Sequence, residues 1–195
     1  MTETQLDSTA ARVLVAARDE VKARGILGMR VARVAAEAGC SITSMYRYFG
    51  SREGLLAEVL LQIYEDSFDE QFTTVKELLL RSGPITEDDV IACIPLPHGG
   101  VAVKEHAIRS QVLAVAGTNH VLRAKLGESL RSRRSRLSAI IDDIESRLVG
   151  GEKMDREVLF VYVFNLNWQY NDLLGDWSVS NEQYRRLLRR TIFIR

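Results

Sequence analysis

Two short apolar patterns separated by one glycine constrain this chain more than any other feature of its 195 residues. Val31, Val34, Ala35 and Ala38 recur at intervals of three and four, the stripe of a short helix packed on a neighbour. Gly39 follows and can adopt the left-handed conformation that ends a helix, while Ser41 can accept from the free amides that open the next one. Over residues 41–49 a helical reading puts Met45, Tyr48 and Phe49 on one side and Thr43, Ser44, Tyr46 and Arg47 on the other. A helix of about two turns is unstable alone, so its apolar side must be held while its polar side faces out. Two short helices joined by a tight glycine turn predict a helix-turn-helix, whose second helix enters the DNA major groove. The same residues also fit a hairpin buried in a larger all-α protein, but the outward side carries too many polar groups for that.

Local charge agrees with the DNA reading. Arg30, Arg33, Arg47 and Arg52 face a single acid, Glu37, between residues 30 and 52, and neutralising phosphates requires such a patch. The chain as a whole has 26 basic and 26 acidic residues, so the patch is a local footprint on a neutral protein.

Arg24-Gly25, the run 31–41 (VARVAAEAGCS) and the run 44–56 (SMYRYFGSREGLL) together resemble the N-terminal DNA-binding domain of TetR-type transcriptional regulators, over residues 8–66. The resemblance implies that Thr43, Ser44, Tyr46 and Tyr48 touch bases or phosphates and that Arg52 opens the next helix at the DNA backbone. Met29 stands where the family usually has a threonine that caps the first helix of the motif and touches phosphate. Methionine does neither, which leaves Gly28 as the expected cap and Arg30 as the expected phosphate contact. Ile42-Thr43 replaces the frequent Lys-Gly, and Ile42 could meet a thymine methyl. The candidate DNA-binding residues are therefore Arg30, Ser41, Ile42, Thr43, Ser44, Tyr46, Arg47, Tyr48 and Arg52.

With 46% hydrophobic residues, the chain can build one sizeable core or two small ones. Three prolines and no long Ser/Gly run exclude a flexible linker, so two domains, 8–66 and 67–195, are expected to share a continuous helix. Cys40 and Cys93 read as packing residues, with a redox role for Cys40 as the sharper alternative. The N-terminus lacks the basic and apolar regions of a signal peptide, and the longest apolar run, 158–164, is too short to span a bilayer. A soluble, cytoplasmic protein without membrane contact is expected.

Asp7, Ser8 or Thr9 can cap a first helix that Gly25 stops, completing a three-helix unit. Gly50 ends the recognition helix and Ser51 caps a helix whose apolar period, from Leu55 through Phe68 and Phe72 to Leu79, predicts a lever of nearly thirty residues. Thr86 to Asp89 reads as a capped, acid-rich helix start, and 95–100 as a loop. Further helices are expected over 101–116, 119–148 and 156–174, with a last one from Asn181 to the chain end. Residues 158–168 have little polar face, which suits a strand by composition and a multiply buried helix by its flanks. The resemblance implies that 119–148 and 156–174 pair across a two-fold axis as a homodimer; a central helix of a monomeric bundle is the alternative. A dimer also makes the reader selective, since two recognition helices read two half-sites. Six basic residues between 121 and 136, with Glu128 alone against them, read as the solvated face of a dimer helix.

Apolar helices around a Pro/Gly loop, between residues 63 and 116, suit a cavity. The resemblance places a small-molecule effector there, with Phe68, Phe72, Cys93, His106, Arg109 and Trp168 as candidate ligand contacts. Three histidines without HxxxH or HExxH spacing predict no metal site, and without GxSxG, P-loop or GxGxxG there is no motif for catalysis or a cofactor. The expected protein is all-α: an N-terminal three-helix DNA-binding domain, then a helical ligand-binding and dimerisation domain. It would be a ligand-released repressor on a palindromic double-stranded DNA operator. A regulator without a ligand, or a small helical enzyme or carrier, are the alternatives.

Overall fold

The computed structural model describes residues 3–96, 102–165 and 178–194, with the side chains of 3–8, 68, 70, 71, 102–108, 164 and 165 outside that description. The elements are α1 (Glu3–Gly28), α2 (Val31–Glu37), α3 (Ile42–Phe49), α4 (Arg52–Gln71), α5 (Thr73–Leu80), α6 (Glu87–Ala92), α7 (Ala102–Ala116) and α8 (His120–Arg147). After them come β1 (Lys153–Met154), α9 (Arg156–Phe160), a π-helical turn over Val161–Asn165, α10 (Asn181–Thr191) and β2 (Phe193–Ile194). Among the described residues the fold is all-α apart from one two-residue antiparallel ladder and an isolated parallel bridge between Ile85 and Leu148.

The chain forms two compact units, Met1–Glu65 with Val112–Gly127, and Asp66–Gln111 with Glu128–Arg195. In the first, α1 packs on α2 and α3 through buried Val13, Ala17, Val34, Ala35 and Met45. Gly25 breaks α1 at φ 73°, where the sequence placed the helix stop. The start of α8 closes this unit: the buried Asn119 side chain accepts from Leu122 N at 3.0 Å and donates to the Glu53 carbonyl at 3.0 Å.

The second unit is built around Ile85, Ile91, Ile141, Leu188 and Ile192. Arg147 ties its connections together by donating to the carbonyls of Leu79, Arg81 and Gly83. Thr86 and Asp89 form the expected capping box on α6, and Ser180 with Gln183 forms another on α10.

Three expectations are corrected here. The lever is interrupted at Phe72, whose φ −85° and ψ 2° lie outside the helical region, so α4 ends and α5 starts afresh. Its apolar period runs through the break because Phe72, at the break, and Leu79, in α5 beyond it, both pack on the second core. The last helix stops at Thr191, because Phe193 is buried and Phe193–Ile194 pair with Lys153–Met154, a partner distant in sequence. The basic run of α8 is not a uniformly solvated face. Arg133 is buried against Asp69 at 3.3 Å, Arg134 lies 4.3 Å over the Phe160 ring, and Lys125 pairs with Glu58 at 2.7 Å. The expected loop beyond residue 96 and the expected helix beyond residue 165 lie outside the described residues.

Candidate functional site

The α2–α3 turn is closed by its own backbone. Gly39, at φ 64°, lets its N–H bond the Ala36 carbonyl and lets the Cys40 N–H reach back to the Ala35 carbonyl at 3.0 Å, the paired bonds of a glycine helix stop. Ser41 then caps α3, its hydroxyl accepting from Ser44 N at 3.0 Å. Met45 is fully buried and anchors the helix. Around it Ser41, Ile42, Thr43 and Arg47 are exposed and Ser44 and Tyr46 half-buried, so the polar side stands outward. Ile42 is 41% exposed, available to a thymine methyl. Tyr48 differs: it is half-buried, and its hydroxyl is buried with no hydrogen-bond partner among the described residues. A DNA contact through that hydroxyl requires the ring to turn outward.

Two polar residues of α1 that the sequence reading passed over brace the motif. Arg12 donates from Nε to the Ala38 carbonyl at 3.1 Å, placing a cation at the end of α2. Glu20 accepts from Arg33 Nε at 2.6 Å and pairs with Arg24 at 3.4 Å. The Arg33 guanidinium holds the Glu20 carboxyl below its usual range. Arg33 is thereby engaged within the protein, while Arg30 and Arg47 are exposed and Arg52 is half-buried. Neither partner is near in sequence to the residue it serves, so no local pattern marks it. Ser51 caps α4 beneath Arg52 by accepting from Gly54 N at 3.1 Å. The expected Gly28 cap is also corrected: Arg30 occupies the N-cap position of α2 without a side-chain bond, because Met29 is turned into the core at 3% exposure.

The second unit holds an apolar cavity of about 60 Å³, walled by Phe72, Val90, Cys93, Ile141, Met154 and Leu159 among others. Of the expected ligand contacts, Phe72 and Cys93 line it. Arg109 is buried elsewhere in the described set and does not line it. The side chains of Phe68 and His106, and the whole of Trp168, lie outside the described residues. Burial pushes the Cys93 thiol up to about 11, so it is a packing group and not a thiolate. The sequence reading missed the aliphatic wall from α8, which it assigned to the dimer. Among the described residues no three His, Cys, Asp or Glu side chains group as a metal site, and no helix is long and apolar enough to cross a membrane.

Residues 13–59 match the sequence profile of bacterial regulatory proteins of the tetR family. The chain carries a TetR-type DNA-binding domain. The matched region starts at Val13 in α1 and ends at Val59 in α4, so it contains α2, α3 and both turns around them. Solved structures similar to the whole chain include a transcriptional regulator from Saccharomonospora viridis in complex with choline (19% identity, 97% of this chain and 100% of that one, TM-score 0.62). The multidrug binding protein EbrR complexed with imidazole is similar at 21% identity (95% and 96%, TM-score 0.62). A TetR-family transcriptional regulator from Rhodococcus sp. is similar at 21% identity (93% and 95%, TM-score 0.55). No curated protein matches significantly. Within the matched region Met29, where the resemblance implies a capping threonine, is a core residue.

Proposed function

We propose that the chain is a homodimeric transcriptional repressor that acts on chromosomal DNA in the cytoplasm and leaves a palindromic operator when a small molecule enters its second unit. Residues 8–66 are the DNA-binding domain and 67–195 the effector and dimerisation domain. The observation that carries the reading is the division of α3, with Met45 sealed in the core and Ile42, Thr43 and Arg47 exposed beside it. Ser41, Ser44, Tyr46 and Tyr48 complete the base-reading and phosphate-contacting set, and Arg30 and Arg52 hold the DNA backbone.

The effector half of the proposal is supported by the apolar cavity and by the choline and imidazole complexes of the similar proteins. Effector pockets usually measure about 300–1,000 Å³, so a ligand must widen the cavity of about 60 Å³ as it enters. Phe72 lines it one residue after α4, the helix that begins with Arg52, so widening there acts on the end of the element that follows the reader. A ligand shifts the protein only by its preference between states, and a coupling of about 1–3 kcal/mol is typical.

Selection of bound sequences from a random duplex library at two salt concentrations tests the DNA reading. A palindromic motif with half-sites about one helical turn apart is expected. Salt-sensitive binding without sequence preference would refute it.

A further inference from the structure

The apolar cavity shares Phe72, Val75, Leu137 and Ile140 with a second one of about 130 Å³, whose remaining wall is of opposite character. There Asp69, Lys76, Arg133 and Arg136 replace aliphatic groups. Three cations face one carboxylate, and the division of burial among them is uneven. The Arg133 side chain is 7% exposed, whereas its partner Asp69, 3.3 Å away, is 61% exposed. Asp69 meets the Arg133 guanidinium from the solvent side, and so exposed a side chain loses little by turning away. Among the described residues neither Lys76 nor Arg136 has an ion-pair partner, and both are exposed.

Resting on the reading of this cavity as the effector site, we propose that the effector is an amphipathic anion: an aliphatic tail in the apolar chamber and a carboxylate that takes the place of Asp69 on Arg133. Lys76 and Arg136 stand at the headgroup and supply the remaining positive field. A cationic headgroup would meet three like charges, with Asp69 already engaged. A neutral one would forgo the charge-assisted bonds on offer. Asp69 belongs to the last turn of α4 and its carbonyl accepts from Thr73 Oγ1 at 3.4 Å, so exchange of carboxylates occurs where α4 gives way to α5.

Decanoate, 1-decanol and decyltrimethylammonium, each below its micelle-forming concentration, test this by calorimetric titration of the full chain, paired with release of the selected operator. Decanoate is expected to bind about tenfold or more tighter than either analogue, as a charge-assisted hydrogen bond implies, and to release the operator. The double substitution Lys76→Ala/Arg136→Ala, at exposed positions, leaves Arg133 in place and should reduce that preference while leaving decanol binding unchanged; an undiminished preference overturns their place at the headgroup. Asp69→Asn, which removes the competing carboxylate, should tighten decanoate binding. Equal or tighter binding of decanol or the ammonium, with release, overturns the anion assignment and keeps the effector reading. Preferential decanoate binding without release sustains the ligand class and refutes the effector reading. Binding of none of the three overturns both.

Discussion

Met45 and Tyr46 are adjacent, yet one is sealed in the core and the other half-exposed, so their substitutions should fail in different ways. Met45→Ala leaves a cavity beneath the recognition helix and should cost about 2–5 kcal/mol of stability, seen as a lowered melting temperature. Tyr46→Ala should leave melting and helix content unchanged and weaken operator binding by about 1–3 kcal/mol. Arg52→Ala should weaken all duplexes alike and reduce the salt slope by about one, because it removes one phosphate contact. Normal operator affinity in both surface variants would move the reader elsewhere. Cys93, held as a thiol by burial, should resist Ellman's reagent at pH 8 in a Cys40→Ser protein until denaturant opens the fold. At this scale the outward residues of α3 were readable because helical spacing alone separates them from Met45. The engagement of Arg33 was not, because its partner, Glu20, arrives from another helix, and charge counted along a sequence cannot see it.

Elements with a local start or stop signal were legible, and those that depend on a distant partner were not. Ser41, Thr86 and Asp155 each cap the helix that their position predicts, whereas α1 already starts at Glu3, ahead of the expected caps Asp7, Ser8 and Thr9. The break at Phe72 has no glycine or proline to mark it, and β2 exists only because β1 lies beside it. The junction of α3 and α4 has a hidden requirement of the same kind. A Cβ at Gly54 would lie 2.0 Å from the Phe49 carbonyl oxygen, a backbone atom that cannot step aside without moving the recognition helix. Gly54→Ala should therefore lower the melting temperature and abolish operator binding, although alanine is the better helix former. Native stability and affinity in that variant would show that the junction yields. On α6, Thr86 chiefly, and Arg81 after it, hold the Asp89 carboxyl at about 2, against the ordinary 3.8. A depressed folded-state value contributes stability above the unfolded one and loses it as pH falls through the folded one. The melting difference between the native chain and Asp89→Asn should thus be full above about pH 4 and close toward about pH 2. A gap that persists in acid would mean that the charge of Asp89 is not what stabilises the cap.

One short recognition helix reaches too few base pairs for a selective site, so the function proposed for the whole molecule depends on a second copy of the chain. That requirement is legible only indirectly in a single sequence, as apolar surface with no partner of its own. The run after Asp155 is such a surface. Leu159 is buried in the second core, while Val161, at the start of the π-helical turn, is 47% exposed in the single chain. If this turn lies on the two-fold axis, a charge there should separate the copies without unfolding either, because Val161 is not part of the core. Val161→Arg should sediment as a monomer with native helix content and the melting cooperativity of a folded chain. Its affinity for a palindromic operator should fall by about 10²–10⁴, the advantage that two linked binding events have over one, while its weak binding to a single half-site is retained. A Val161→Arg protein that still sediments as a dimer would place the interface on another face, and a dimer that nonetheless lost the operator would point to geometry between the readers and away from their number.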